Sequence, residues 1–154
     1  MATLKETIQK VASIDRAIES ALQIEVADAV KKALVESAYE NVYNAYTPEF
    51  LSRRYGDGGI ADEDNINVTA SGNELTASDD APWQQLWGGT VPSGRLAEAI
   101  AEGDPRYNMG NAGPRPFHES AKRQLIDSGE AERALRAGLA RQGIDTSGMT
   151  FRFI

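Results

Sequence analysis

The sequence predicts an α+β fold, and three observations carry that prediction. A stretch from Thr3 to Tyr46 holds neither Gly nor Pro and is rich in Ala, Glu, Lys, Leu and Gln, the composition of helix. A short run of alternating β-formers around a Ser-Gly-Asn turn follows at about 66–78, the pattern of one antiparallel hairpin. The C-terminal third then returns to helix-forming residues with apolar side chains at steps of four. At 154 residues the chain has the size of a single domain, 1–154, with 1–46 as its helical beginning.

The N-terminal segment presents Leu4, Ile8, Val11, Ile14, Ile18, Leu22, Val26, Ala29, Val30 and Ala33 on one broad stripe at about 100° per residue. Beyond Ala33 the apolar set of Leu34, Val35, Ala38, Val42 and Tyr46 moves to the opposite side of the wheel, so the partner surface is expected to change there. A single helix over these 44 residues would be about 66 Å long, against a radius of gyration of about 15 Å for a compact chain of this size. Two readings follow. Either the segment breaks near Ser13 or near Lys31 and Lys32, or its first part projects and packs on another subunit.

Thr47-Pro48 stops the helix, because proline lacks an amide proton and pushes its predecessor out of the α region. Tyr55-Gly56-Asp57-Gly58-Gly59 reads as loop. The hairpin pairs Ile66 to Ala70 with Glu74 to Ser78, and alternation puts Ile66, Val68 and Ala70 on one face to meet Leu75 and Ala77. Asp79 to Gly94 reads as irregular, and Ser93 to Ala101 as a short helix with Leu96 and Ile100 at i and i+4. Pro116 is suited to the first position of the next helix, whose Phe117, Ala121 and Leu125 form one buried face against Ile66 and Val68. Asp127 and Glu130 have the spacing of a capping box for a last helix carrying Ala131, Leu135 and Leu139, ended by Gly143. Thr150 to Ile154 alternates like a terminal strand.

Composition narrows the chemistry. Cysteine is absent, which removes thiol nucleophiles, thiolate metal sites and disulfides together. No apolar run reaches the roughly 18 residues of a membrane span, so no membrane partner is expected. A net charge of −7 disfavours stable nucleic-acid binding, although DNA could pass such a surface without being held. His118 is the only histidine, with no GxSxG elbow to serve it, and reads as structural or surface. Asp57, Asp62, Asp64 and Asn65 offer oxygen ligands, but not at EF-hand spacing; they read as solvated loop acids with one capping the hairpin. Gly110 to Gly113 has GxxG spacing without a basic helix, and no glycine-rich phosphate loop exists, so no cofactor and no metal is expected. Trp83 and Trp87 are either plugs over the hairpin or anchors of a protein interface.

The order of features carries a resemblance. A long N-terminal helix precedes Tyr46-Thr47-Pro48-Glu49-Phe50-Leu51-Ser52-Arg53-Arg54, then Gly58-Gly59-Ile60-Ala61-Asp62 and the Asn65-Ile66 hairpin opening. Leu96 to Gly103 and Pro114-Arg115-Pro116-Phe117 come later, with a closing helix. Over roughly residues 30 to 145 this resembles small neck and tail-completion proteins of tailed bacteriophages. The resemblance implies a structural, non-enzymatic virion protein made in the host cytoplasm. It would be a ring subunit of the tail-terminator or head–tail connector type, contacting copies of itself and portal or tail-tube proteins while DNA passes through. Trp83, Trp87, Arg53, Arg54, Arg115 and Phe117 are then its interface candidates. The competing reading is a small soluble enzyme or a metal-loop binding module built on the acidic loop 57–65. The two differ in what converges: polar groups in a cleft for the second, apolar surface between copies for the first.

Overall fold

A computed structural model describes residues 3–45, 58–84, 90–91, 95–103 and 113–154. Its spine is one helical run made of α1 (Leu4–Ala21), a π-helical turn (Leu22–Val26), α2 (Ala27–Ala38) and a second π-helical turn (Tyr39–Tyr43). The residues at each junction keep right-handed helical dihedrals, so the expected break near Ser13 or near Lys31 and Lys32 does not occur. With neither Gly nor Pro available, the chain has no easy place to break; it changes hydrogen-bonding period instead.

The first end of that run projects. Thr3 accepts from the Glu6 amide (3.3 Å) and donates its own amide to the Glu6 carboxylate (2.7 Å), a reciprocal cap that also holds the Glu6 carboxyl below its ordinary pKa. Residues 3–13 are nevertheless all exposed. Burial begins with Ala17, Ala21, Leu22 and Val26, which pack with Leu135 and Leu139. Further along, Ala38 and Val42 pack with Ile60, Ala61, Ala81, Ala97 and Phe117. The partner surface thus changes along the helix, as the shift in its apolar stripe requires.

A short 3₁₀ turn (Glu63–Asn65) leads into β1 (Ile66–Ser71), which pairs antiparallel with β2 (Glu74–Asp79) through a Gly72-Asn73 turn. Val68 faces Ala77 and Ala70 faces Leu75, the expected register. Gln23, in the first π turn, donates to the Val68 carbonyl (3.3 Å) and accepts from the Ala70 amide (2.8 Å), tying the hairpin to the spine. Within the stretch expected to be irregular, β3 (Trp83–Gln84) pairs antiparallel with β4 (Thr90–Val91), a ribbon too short for alternation to reveal. α3 (Arg95–Glu102) follows, burying Ala97 and Ala99 while Leu96 and Ile100 stay half-buried.

α4 (Phe117–Asp127) lies along α2, with Phe117, Ala121 and Leu125 buried as the spacing requires. Its environment differs from expectation at one end. Ala121 and Leu125 share a cluster with Ile66 and Val68, whereas Phe117 sits in the cluster of Ala38 and Ile60, because the long helix reaches past the hairpin to that end of α4. Pro116 is the N-cap and not the first helical residue: its φ of −76° and ψ of 64°, with the Phe117 amide donating to the Arg115 carbonyl at 2.8 Å, make an inverse γ-turn. Asp127 closes α4 instead of capping α5 (Glu130–Arg141). The cap residue is Gly129, at φ 72°, a left-handed position where Asp would be strained.

Gly143 ends α5 as expected. Its amide donates to Ala140 and that of Ile144 to Leu139, while Ile144 packs in the cluster of Leu139, the full set of contacts of a left-handed helix stop. Gly138 lets α5 touch the spine; a Cβ there would lie 2.5 Å from the Ala21 Cβ and also strike the Glu25 carboxylate. Residues 150–154 form no strand. Arg136 holds the preceding backbone, donating to the carbonyls of Thr146 (2.6 Å) and Met149 (2.8 Å) with its guanidinium 5.0 Å from the Phe151 ring centre. Among the described residues no helix is long and apolar enough to cross a membrane.

Candidate functional site

Two apolar surfaces stand out. The first is the projecting end of α1, where Leu4 is 77%, Ile8 59% and Val11 54% exposed. These positions are i, i+4 and i+7 and fall within one face of the helix. The second is a groove of about 890 Å³ lined by Leu22, Val26 and Val30 of the spine, Leu75 of β2, Leu125 of α4 and Phe153 of the C-terminal segment. Glu74, His118, Glu119, Lys122 and Arg152 also line it.

Polar chemistry is dispersed by comparison. Asp79 is buried at the base of the hairpin, opposite Ile66, with one carboxylate oxygen accepting from the Ala81 amide (3.0 Å) and the other, Oδ2, without a hydrogen-bond partner. Burial pushes its pKa up to about 7, assisted by the charges of Asp80 and Asp62 and opposed by the Ala81 amide. The residue was missed in the sequence, although a signal existed: alternation through Leu75 and Ala77 puts position 79 on the inner face. Ser37 is also fully buried, and its hydroxyl donates to the Phe117 carbonyl at 2.7 Å.

His118 is half-buried with its ring 3.9 Å from that of Phe117, and burial lowers its pKa against the pull of Glu119. In the acidic loop, Asp62 accepts from the amides of Gly58 (2.7 Å) and Asp64 (3.0 Å), which holds its carboxyl below the usual range. One loop acid thus caps the turn into the hairpin. Groups of three or more His, Asp or Glu side chains placed to hold a metal are not found among the described residues.

The interface candidates fare differently from one another. Arg53, Arg54, Trp87 and the side chain of Trp83 lie outside the described residues, as do Asp57, the Thr47-Pro48 stop and Gly110 to Ala112; the backbone of Trp83 lies opposite Val91. Arg115 is half-buried in the turn before α4, its amide donating to the carbonyls of Ile100 and Ala101, both at 3.2 Å. Phe117 has no exposed surface and packs as a core residue of the chain. The apolar stripe beginning at Leu4 reads in the sequence as a face buried along its whole length; its first part, residues 3–13, is exposed instead, because the helix runs on without a break past the elements that cover the rest.

Comparison with known proteins gives a match to the YomN family over residues 3–141. The chain belongs to the YomN family. YomN is phage-derived, so this is a phage protein, in agreement with the coarser part of the resemblance above. The match takes in the projecting helix end, the hairpin and all of α5. No curated protein and no solved structure matches the chain.

Proposed function

We propose that this YomN protein is a non-enzymatic structural subunit of the phage neck, a tail-terminator or tail-completion protein that joins head and tail as a ring of identical copies. The observation that carries the reading is the helix end. Leu4, Ile8 and Val11 face solvent on a helix that its own cap keeps formed. Full burial of an aliphatic side chain of this size contributes about 1.5 to 3 kcal/mol, a strong reason for the face to be covered in the working assembly.

Family membership supplies the context of a phage protein. Identical subunits repeating one heterologous contact close into a ring when the rotation allows it. The net charge of −7 suits a collar through which DNA moves without being retained. Portal or connector and tail-tube proteins are the proposed neighbours, and the virion is the proposed location. The test is a reconstruction of the particle. A symmetric collar of this chain between portal and tail is the expected result; a single copy, or absence from the neck, overturns the proposal.

A further inference from the structure

The geometry points to the place where that helix end goes: Leu4, Ile8 and Val11 of one copy seat in the apolar groove between β2 and α4 of the next. This inference rests on the ring reading for the identity of the occupant, a second copy of this chain.

Three observations support it. An amphipathic helix entering a groove presents anchors at i, i+4 and i+7, and the exposed residues have that spacing. The helix cannot reach its own groove. Ile18 already lines that groove, Ile8 lies about 15 Å further along the same unbroken helix, and α1 runs from Leu4 to Ala21 without a hinge. The occupant of the groove, if it is this segment, must come from another molecule.

Charge is the third observation. Residues 1–13 contain Lys5, Lys10 and Glu6, a net charge of +1, while the whole chain carries −7, so the remainder carries −8. The projecting end is the part of the molecule that an acidic copy would attract. The charged residues lining the groove, Glu74, Glu119, Lys122 and Arg152, balance one another, so the attraction acts between the basic helix end and the acidic copy as a whole while the groove itself takes the apolar side chains. The contact is heterologous, helix end to groove, and leaves a free end and a free groove on every pair, as a ring requires.

Because the chain has no cysteine, the test can be made with single thiols in the full-length protein. Ile8→Cys and Lys122→Cys are prepared separately and mixed under mild oxidation at about 1 mM, with exposed Glu36→Cys, outside the groove, as the control partner. The expected result is a disulfide-linked heterodimer from the first pair and none from the control. Ile8→Asp should leave the melting temperature unchanged, since the side chain is already in water, and weaken self-association by about tenfold or more in sedimentation.

Equal cross-linking of the two pairs, no cross-linking, or unchanged association of Ile8→Asp overturns the inference, whether the groove takes a different protein or nothing. A symmetric collar whose α1 ends point into solvent would remove the inference and keep the neck reading. Specific cross-linking in a protein absent from the neck would do the reverse.

Discussion

Replacing Asp79 by Asn should stabilise the protein, and by an amount that depends on pH. In the folded chain burial raises the Asp79 pKa to about 7, while in the unfolded chain it returns to about 3.9. Because the folded state holds this proton more tightly, stability is fully present below the unfolded pKa and is lost as pH rises from there through the folded value. Below about pH 4 the group has no differential effect; between about 4 and 7 the wild type loses up to about 1.4 kcal/mol per pH unit. The loss is complete above 7, where the ionised carboxylate sits buried with Oδ2 unpartnered.

The three-unit difference sets a ceiling of about 4 kcal/mol, and local relaxation around the hairpin base brings the expectation to about 2 to 4 kcal/mol at pH 8. The amide side chain of the Asp79→Asn variant keeps an oxygen for the Ala81 amide and carries no charge. The assay is urea unfolding of both proteins from pH 4.5 to 8. The wild type should lie close to the variant at the acid end and fall behind it steadily towards pH 8. Taking the difference between the two cancels the other acids, including Asp62 and Asp145, whose lowered pKa values make the fold lose stability as pH falls. A gap that is flat with pH, or a wild type more stable at pH 8, would refute the reasoning.

Further outcomes follow from the packing. Phe117→Ala empties a fully buried site and should cost about 3 to 5 kcal/mol, leaving little soluble protein at 37 °C; a melting temperature within a degree or two of the parent would contradict the packing against Ala38 and Ile60. Gly138→Ala forces a methyl group onto Ala21 and Glu25 and should destabilise by about 1 to 3 kcal/mol in chemical denaturation, separating α5 from the spine. Millimolar calcium should leave the melting temperature unchanged, since the Asp62 oxygens already serve two backbone amides; a rise of many degrees that disappears in Asp62→Ala would restore the metal-loop reading.

Much of the architecture was legible because period alone encodes it. The absence of Gly and Pro marks the long helix, and alternation from Ile66 to Ala77 marks the hairpin and its register. The π turns were not legible, since one extra residue in a helical turn alters apolar spacing by less than the width of the stripe. Nor was the end of the chain. Phe151 and Phe153 alternate as a strand would, yet the segment packs by side chain: the Arg136 guanidinium lies over the Phe151 ring and Phe153 packs against the apolar core, contacts that no local pattern announces. The candidate site was less legible: Leu4, Ile8 and Val11 share a stripe with residues beyond Ala17 that are buried, so the period alone does not separate the exposed part from the buried part, and the groove joins residues from five segments that only tertiary packing brings together.

The Gln23 side chain has a consequence for how copies can meet. A two-stranded hairpin has open edges, and an open edge is a template for a foreign strand and so for fibrous aggregation. Gln23 occupies the Val68 carbonyl and the Ala70 amide, two groups an incoming strand would need. Sheet extension from copy to copy is therefore blocked along β1 by a residue of the spine. An incoming strand would have to displace that side chain before it could pair along this edge.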